Sequence, residues 1–220
     1  MEPILYYDTI SPPVRAVLMT IKALNYKVEL KKIDLFKVEQ RKEEFLELSP
    51  IGRVPVLQVG TESISDSHAI CCFLAETSGR SGEILYPKDP LTRSKILQML
   101  FFDCDIAFNR SSEIMRAAFH RKISDVSEEH LNKIHEVYRL LEKFLEKSKF
   151  LVNDTITLAD ISMISTIASC DILIPVSNET PKLLAWFEFC KKLPWYEANI
   201  EGLQRAKDYL KNTALASYIK

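Results

Sequence analysis

Tyr7-Asp8-Thr9-Ile10-Ser11-Pro12-Pro13-Val14-Arg15 is the stretch whose reading decides the fold. Ahead of it, residues 4–7 form a short β-prone run; behind it, Val14, Val17, Leu18, Ile21 and Leu24 recur at helical spacing. A strand therefore feeds a sharp loop and a helix that starts on proline, which the first helical turn accepts because its missing N–H is not needed there. The alternation Val28-Leu30-Ile33 predicts a second strand, and residues 40–48 carry a charged helical pattern. The resulting β-α-β-α order predicts parallel pairing of the two strands.

Working outward, residues 54–59, a turn at Gly60-Thr61 and the run Ser63-Ile64-Ser65 fit an antiparallel hairpin, with a helix over 67–76 after it. The stretch 77–90, with Gly79, Gly82, Pro87, Pro90 and several serines, reads as an interdomain connection. The later half predicts only helices, at about 90–120, 127–147, 157–173, 181–192 and 196–211. Thr157-Leu158-Ala159-Asp160 is a capping box, in which hydroxyl and carboxylate each satisfy an exposed N–H of the helix start. The predicted organisation is an α/β domain over 1–78, a linker over 79–89 and an all-α domain over 90–220.

Composition narrows the function. With 29 basic and 30 acidic residues the 220-residue chain has a formal charge of -1, so no positive field favours nucleic acid. Met1 leads into the strand pattern without a secretory signal, and no apolar run is long enough for a bilayer, which predicts a cytosolic protein. Cys71, Cys72, Cys104, Cys170 and Cys190 lack metal-type spacing and read as buried thiols. The four histidines are not joined to other ligands at metal spacing, so no metal site is expected.

Three segments can carry chemistry. Ser11, at a helix start with partial positive charge, can hold an anion such as a thiolate, or it can be a plain helix cap. A free thiol titrates near 8.5, and lowering that by two units takes about 2.7 kcal/mol. A hydroxyl hydrogen bond to a charged acceptor contributes roughly 1.5–3 kcal/mol, and the helix end roughly 0.3–1, so the two together suffice. At Asp66-Ser67-His68-Ala69-Ile70 a second helix begins: Ser67 can cap it and present N–H and hydroxyl to a carboxylate, while Asp66 can meet an ammonium. Between them, Arg53-Val54-Pro55 could turn the Val54 backbone outward toward an extended peptide if Pro55 is cis, although trans is the default.

In this order, and followed by Leu158-Ala159-Asp160 in a helical second half, these segments resemble the cytosolic glutathione transferases over essentially the whole chain. Ser11-Pro12-Pro13-Val14-Arg15, Leu35-Phe36-Lys37, Val54-Pro55 and Asp66-Ser67-His68-Ala69-Ile70 are similar to the insect delta and epsilon classes. Ile4-Leu5-Tyr6-Tyr7-Asp8 and Phe108-x-Arg110-x-Ser112-x-x-Met115 resemble the noppera-bo type, associated with ecdysteroid-producing tissue and sterol handling. The resemblance implies a thioredoxin-like N-terminal domain, a helical C-terminal domain, a homodimer and a cis-Pro55. It also implies a glutathione site that includes Ser11 as the catalytic residue with Gln40, Arg53, Val54, Pro55, Asp66, Ser67 and His68. Relatives usually carry histidine where this chain has Gln40 and Gly52, and Arg53 is the candidate replacement for the lost charge.

For an apolar second substrate, Phe108, Ser112, Met115 and Phe119 share one helix face at i, i+4, i+7 and i+11, flanked by Ser111 and Arg116. Pro12, Leu35 and Ser169 complete the expected lining. Some noppera-bo relatives carry an acid that accepts a steroid hydroxyl, and Ser111 stands at the matching position. The expected activity is transfer of apolar electrophiles to glutathione, with a sterol-binding carrier whose catalysis is incidental as the alternative.

Overall fold

The computed structural model describes residues 2–219. Four strands, β1 (Ile4–Tyr7), β2 (Glu29–Lys32), β3 (Val56–Val59) and β4 (Glu62–Ile64), form one mixed sheet in the order β2-β1-β3-β4. β1 runs parallel to β2 and antiparallel to β3, with Leu5 opposite Leu30 on one side and Leu57 on the other; β3 and β4 make the hairpin. Alternation along β1 sends neighbouring side chains to opposite faces. Leu5 and Leu57 are buried in the core they share with Val17 of α1 (Pro12–Leu24) and Ile70 of α3 (Ser67–Thr77). Tyr6 and Val56 pack in a second cluster with Phe45 of α2 (Glu43–Leu48), the two rings meeting edge-on at 6.0 Å.

The predicted second strand is present and one residue shorter at each end. All four residues of β2 are exposed, Leu30 included, as suits a charged edge strand, and the buried Ile33 lies just beyond it, its N–H donating to Tyr7 O at 2.8 Å. The predicted helix at 40–48 is also divided. Val38 is left-handed at φ 58°, Glu39–Arg41 form a 3-10 turn, and α2 starts after an extended Lys42.

Inside the predicted linker, a short helix α4 (Arg80–Leu85) packs against α3 so closely that a Cβ on Gly82 would lie 1.7 Å from Ala75 O. The helix expected over 90–120 is α5 (Pro90–Phe102) and α6 (Phe108–Phe119), joined by a π-helical turn at Asp103–Ala107. α7 (Glu128–Phe144), α8 (Leu158–Cys170), α9 (Pro181–Cys190) and α10 (Glu197–Leu210) lie at or just inside the predicted bounds. Every residue of α8 is buried, so its serines and threonine need partners inside the protein. Its capping box forms: Asp160 accepts from Thr157 N at 2.9 Å, and also from Leu151 N and Trp186 Nε1, both at 3.0 Å. Burial raises the Asp160 pKa, with these hydrogen bonds opposing the rise.

α1 packs against both α8 and α10, and a single apolar cluster runs from Leu5 and Val17 through Ile164 to Leu210, continuous between the two halves. Among the described residues no helix is long and apolar enough to cross a membrane. The cysteines are all free, but only Cys71, Cys170 and Cys190 are buried; Cys72 is half-buried and Cys104 exposed, because it lies on the outer side of the π-helical turn.

Candidate active site

The loop between β1 and α1 is held from three directions. Asp8, fully buried, accepts from Ile10 N at 3.3 Å and from Leu35 N at 3.2 Å, and is ion-paired with Arg205 of α10. Arg15 Nη1 donates to Thr9 O at 3.2 Å and Ile10 O at 2.9 Å. Arg205 also donates to the Thr9 hydroxyl at 2.7 Å. Ser11 follows as the N-cap residue of α1, half-buried in extended backbone, with its N–H on Asp8 O at 3.1 Å.

Of the two roles open to Ser11, the cap position is occupied but the capping bond is not made. Prolines fill the first two helical positions and offer no N–H, so the hydroxyl has lost one of the two donors an N-cap side chain normally takes. A hydroxyl, a helix N-terminus and the buried Arg15 cation one turn away together form an environment for an anion.

At α3 the assignments of Asp66 and Ser67 change. Asp66 is the cap, accepting from His68 N at 2.9 Å and Ala69 N at 3.0 Å, and Ser67 is the first helical residue with its backbone N–H still available. Both bonds fall on the single oxygen Oδ1, which satisfies two of the open donors of the helix start. His68 is not free to meet a ligand: its Nε2 lies 3.2 Å from Asp103 Oδ2 and its Nδ1 3.6 Å from Asp66 Oδ1. Asp103, at the start of the π-helical turn and 3% exposed, also accepts from Ser162 at 2.6 Å and Thr166 at 2.8 Å on α8. Burial opposes the charge on His68, yet the hydrogen bond to Asp103 and the nearby Asp66 carboxylate outweigh it and raise its pKa to about 9. The His68 side chain is the main cause holding Asp66 down at about 2. The sequence reading missed Asp103; the available signal was an acid on the otherwise apolar face of residues 96–107.

Between these helix starts the Val54–Pro55 peptide is cis, with Val54 and Pro55 buried. Arg53 is exposed and makes no ion pair among the described residues. The Oε1 of Gln40 is buried without a hydrogen-bond partner among the described residues.

The expected apolar face of α6 is present in part. Phe108, Met115 and Phe119 are half-buried along it; Ser112 accepts from Arg116 Nη2 at 2.7 Å, which turns that guanidinium back along the helix. Pro12 and Leu35 are half-buried. Ser111 and Ser169 do not line a cavity. Ser111 is 2% exposed in the core, hydrogen-bonded with the Cys170 thiol, and the Ser169 hydroxyl donates to Ser165 O at 2.7 Å and accepts from Arg15. A helix buried on every side draws its polar groups into such internal bonds. Two aromatic residues absent from the expected lining join it: Phe36, after β2, stacks on Tyr209 of α10 at 5.2 Å, and both contact Phe119, at 6.4 and 4.8 Å. No group of three metal-ligating side chains lies together among the described residues.

Residues 5–82 match the family profile described as Glutathione S-transferase, N-terminal domain, and residues 104–194 match Glutathione S-transferase, C-terminal domain. Glutathione S-transferase 1 of Manduca sexta is 35% identical over 208 residues, 93% of this chain and 95% of that one. An epsilon-class glutathione S-transferase of the housefly, Musca domestica, superimposes with a TM-score of 0.92 at 34% identity, covering 96% of this chain and 99% of that one. A glutathione transferase homologue from Drosophila mojavensis, solved with bound glutathione, gives a TM-score of 0.91 at 33% identity over 99% and 98% of the two chains. Thioredoxin-like sheet domain and helical domain thus occur in a chain that belongs to the insect glutathione S-transferase family.

Proposed function

We propose that this glutathione transferase keeps the sulfur of bound glutathione ionised against the Ser11 hydroxyl and directs it at an apolar electrophile. The observation that carries the reading is the uncommitted hydroxyl: Ser11 occupies a helix cap without making the capping bond, on a loop fixed by Asp8, Arg15 and Arg205. Ser11 donates to the thiolate, so no protein base is required. The extended peptide pairs with the backbone of Val54 beside cis-Pro55. Its α-amino group meets Asp66, and its α-carboxylate meets the N–H and hydroxyl of Ser67. His68 acts through Asp66 as a positioning residue, while Gln40 and Arg53 border the glycine end.

The second substrate is a flat, mostly apolar molecule lying among Pro12, Leu35, Phe108, Ser112, Met115, Arg116 and Phe119, with the Phe36–Tyr209 stack beside it. The noppera-bo resemblance makes an ecdysteroid-pathway steroid the specific candidate, recognised by shape and ring contact, since Ser111 is turned into the core. A homodimer in the cytosol completes the reading, supported by the outward side of α5, where Leu91 and Phe101 are exposed. A single-chain mass in light scattering would remove the dimer.

The test compares wild type with Ser11→Ala on glutathione and a chlorinated nitrobenzene, with and without competing steroid. Removing the hydroxyl should raise the apparent pKa of the bound thiol by one to two units and lower kcat/KM at pH 7 by about 10- to 100-fold. Equal thiol pKa values in the two proteins would show that Ser11 is no more than a cap. Turnover unaffected by steroid would leave the transferase reading and remove the steroid.

A further inference from the structure

Gly52 lies in the turn that precedes Val54, buried, with φ +61°. The space where its side chain would stand is taken: a Cβ there would lie 2.9 Å from Arg41 Nη1, 2.9 Å from Gln40 O and 3.0 Å from Leu46 Cδ2. Arg41 reaches this point from the 3-10 turn before α2, and its Nη1 donates to Ile51 O at 3.3 Å.

The charges of this corner are unbalanced. Lys37 pairs with Asp34 at 3.3 Å and Lys42 with Glu39 at 3.4 Å, so the neighbouring cations have carboxylates. Arg41 and Arg53, on the two sides of Gly52, make no ion pair among the described residues. Two guanidinium groups that have no carboxylate partner among the described residues flank the buried glycine, and the planar fork of arginine matches a carboxylate with two parallel hydrogen bonds.

We propose that Arg41 is the seat for the C-terminal carboxylate of the thiol peptide, and that glycine at position 52 is what admits the guanidinium. The proposal rests on the glutathione site described above. With the amino-acid end at Asp66 and Ser67 and the middle on Val54, the remaining end of an extended tripeptide reaches the turns at 39–41 and 51–53. Any side chain at position 52 would push Arg41 out of the corner, and most would also be strained at that positive φ. Arg53 adds charge from the solvent side, and the ligand class is a peptide with a free terminal carboxylate.

The experiment is calorimetric binding of two peptides to the full chain: glutathione, and glutathione with its glycine carboxylate converted to the amide. Wild type should bind the amide at least tenfold more weakly. Arg41→Ala should bind glutathione about 10- to 100-fold more weakly and lose the preference between the two peptides. Arg41→Lys should keep part of the preference, and Gly52→Ala should behave like Arg41→Ala. An Arg41→Ala protein that still prefers glutathione to the amide as strongly as wild type overturns the proposal and reduces Arg41 to a brace on Ile51. Loss of the preference in Arg53→Ala with its retention in Arg41→Ala overturns it in favour of Arg53. A wild type with no preference overturns it as well, whereas a wild type that binds neither peptide refutes the underlying glutathione site.

Discussion

His68 carries a charge that its surroundings both oppose and hold. The ring is mostly buried, which disfavours the imidazolium, but Asp103 on one nitrogen and Asp66 on the other raise its pKa from 6.5 to about 9. A group whose pKa is higher in the folded state stabilises the fold fully below its unfolded pKa, and that contribution is lost as pH rises through the folded value. The melting temperature should therefore fall by several degrees between pH 6.5 and 9. His68→Gln should flatten that slope and weaken glutathione binding by loosening Asp66; an equally steep slope in the variant would separate the stability profile from this histidine. Legibility at this scale followed sequence distance. Asp66, Ser67 and His68 are adjacent, so the segment could be singled out, whereas that Asp103 takes the ring depends on a contact across 35 residues. Arg41 and Gly52 meet only because two turns face each other, and no spacing in the chain announces it.

The helix α10 shows what an element does here beyond filling the core. Asn199, Gly202 and Arg205 recur every three residues on one of its faces: Asn199 accepts from Arg15 at 2.7 Å, Arg205 pairs with Asp8, and Gly202 lies against the loop between them. A Cβ on Gly202 would stand 1.8 Å from Thr9 O and 2.6 Å from Arg15 Cδ, and neither a backbone carbonyl nor a fully buried arginine can yield much. Gly202→Ala should cost about 1–3 kcal/mol or more through overpacking, and kcat/KM for glutathione should drop further than the stability loss alone explains, because the displaced loop carries Ser11. A thermal melt and a rate measurement on one preparation check this; wild-type values in both would mean that α10 can slide outward freely. Helical periodicity made α7 and α10 readable, since each buries one continuous stripe. It failed at 103–107, where a π-helical turn hides inside an uninterrupted pattern, and at α4, whose six residues are too few for a period to show among turn-forming residues. β2 fell inside the stretch read for it, although all four of its residues are exposed and only the flanking Ile33 is buried.

At the scale of the molecule, the two halves are joined through a buried cation that has no carboxylate partner among the described residues. Arg15 is 1% exposed, and burial lowers its pKa to about 9, which still leaves it charged near neutral pH. Its hydrogen bonds divide between the sheet domain, at Thr9 O and Ile10 O, and the helical domain, at Asn199, Ser165 O and the Ser169 hydroxyl. The sequence showed this residue only as part of a motif, because Asn199 is 184 positions away. Arg15→Met keeps apolar contact with α8 and removes the donors, leaving buried acceptors on both sides at about 1–3 kcal/mol each. Both tryptophans, Trp186 and Trp195, lie in the helical domain, so their fluorescence reports that domain alone, while far-UV circular dichroism reports both. In urea the two signals should coincide for wild type, as a single cooperative unit requires. In Arg15→Met the dichroism should begin to fall at lower urea than the fluorescence, because the small sheet domain loses its hydrogen bonds to the larger one and melts first. Coincident curves in the variant would assign the coupling to the apolar contact of α1 with α8, and separate curves already in wild type would show that Arg15 orients the Ser11 loop without joining the domains.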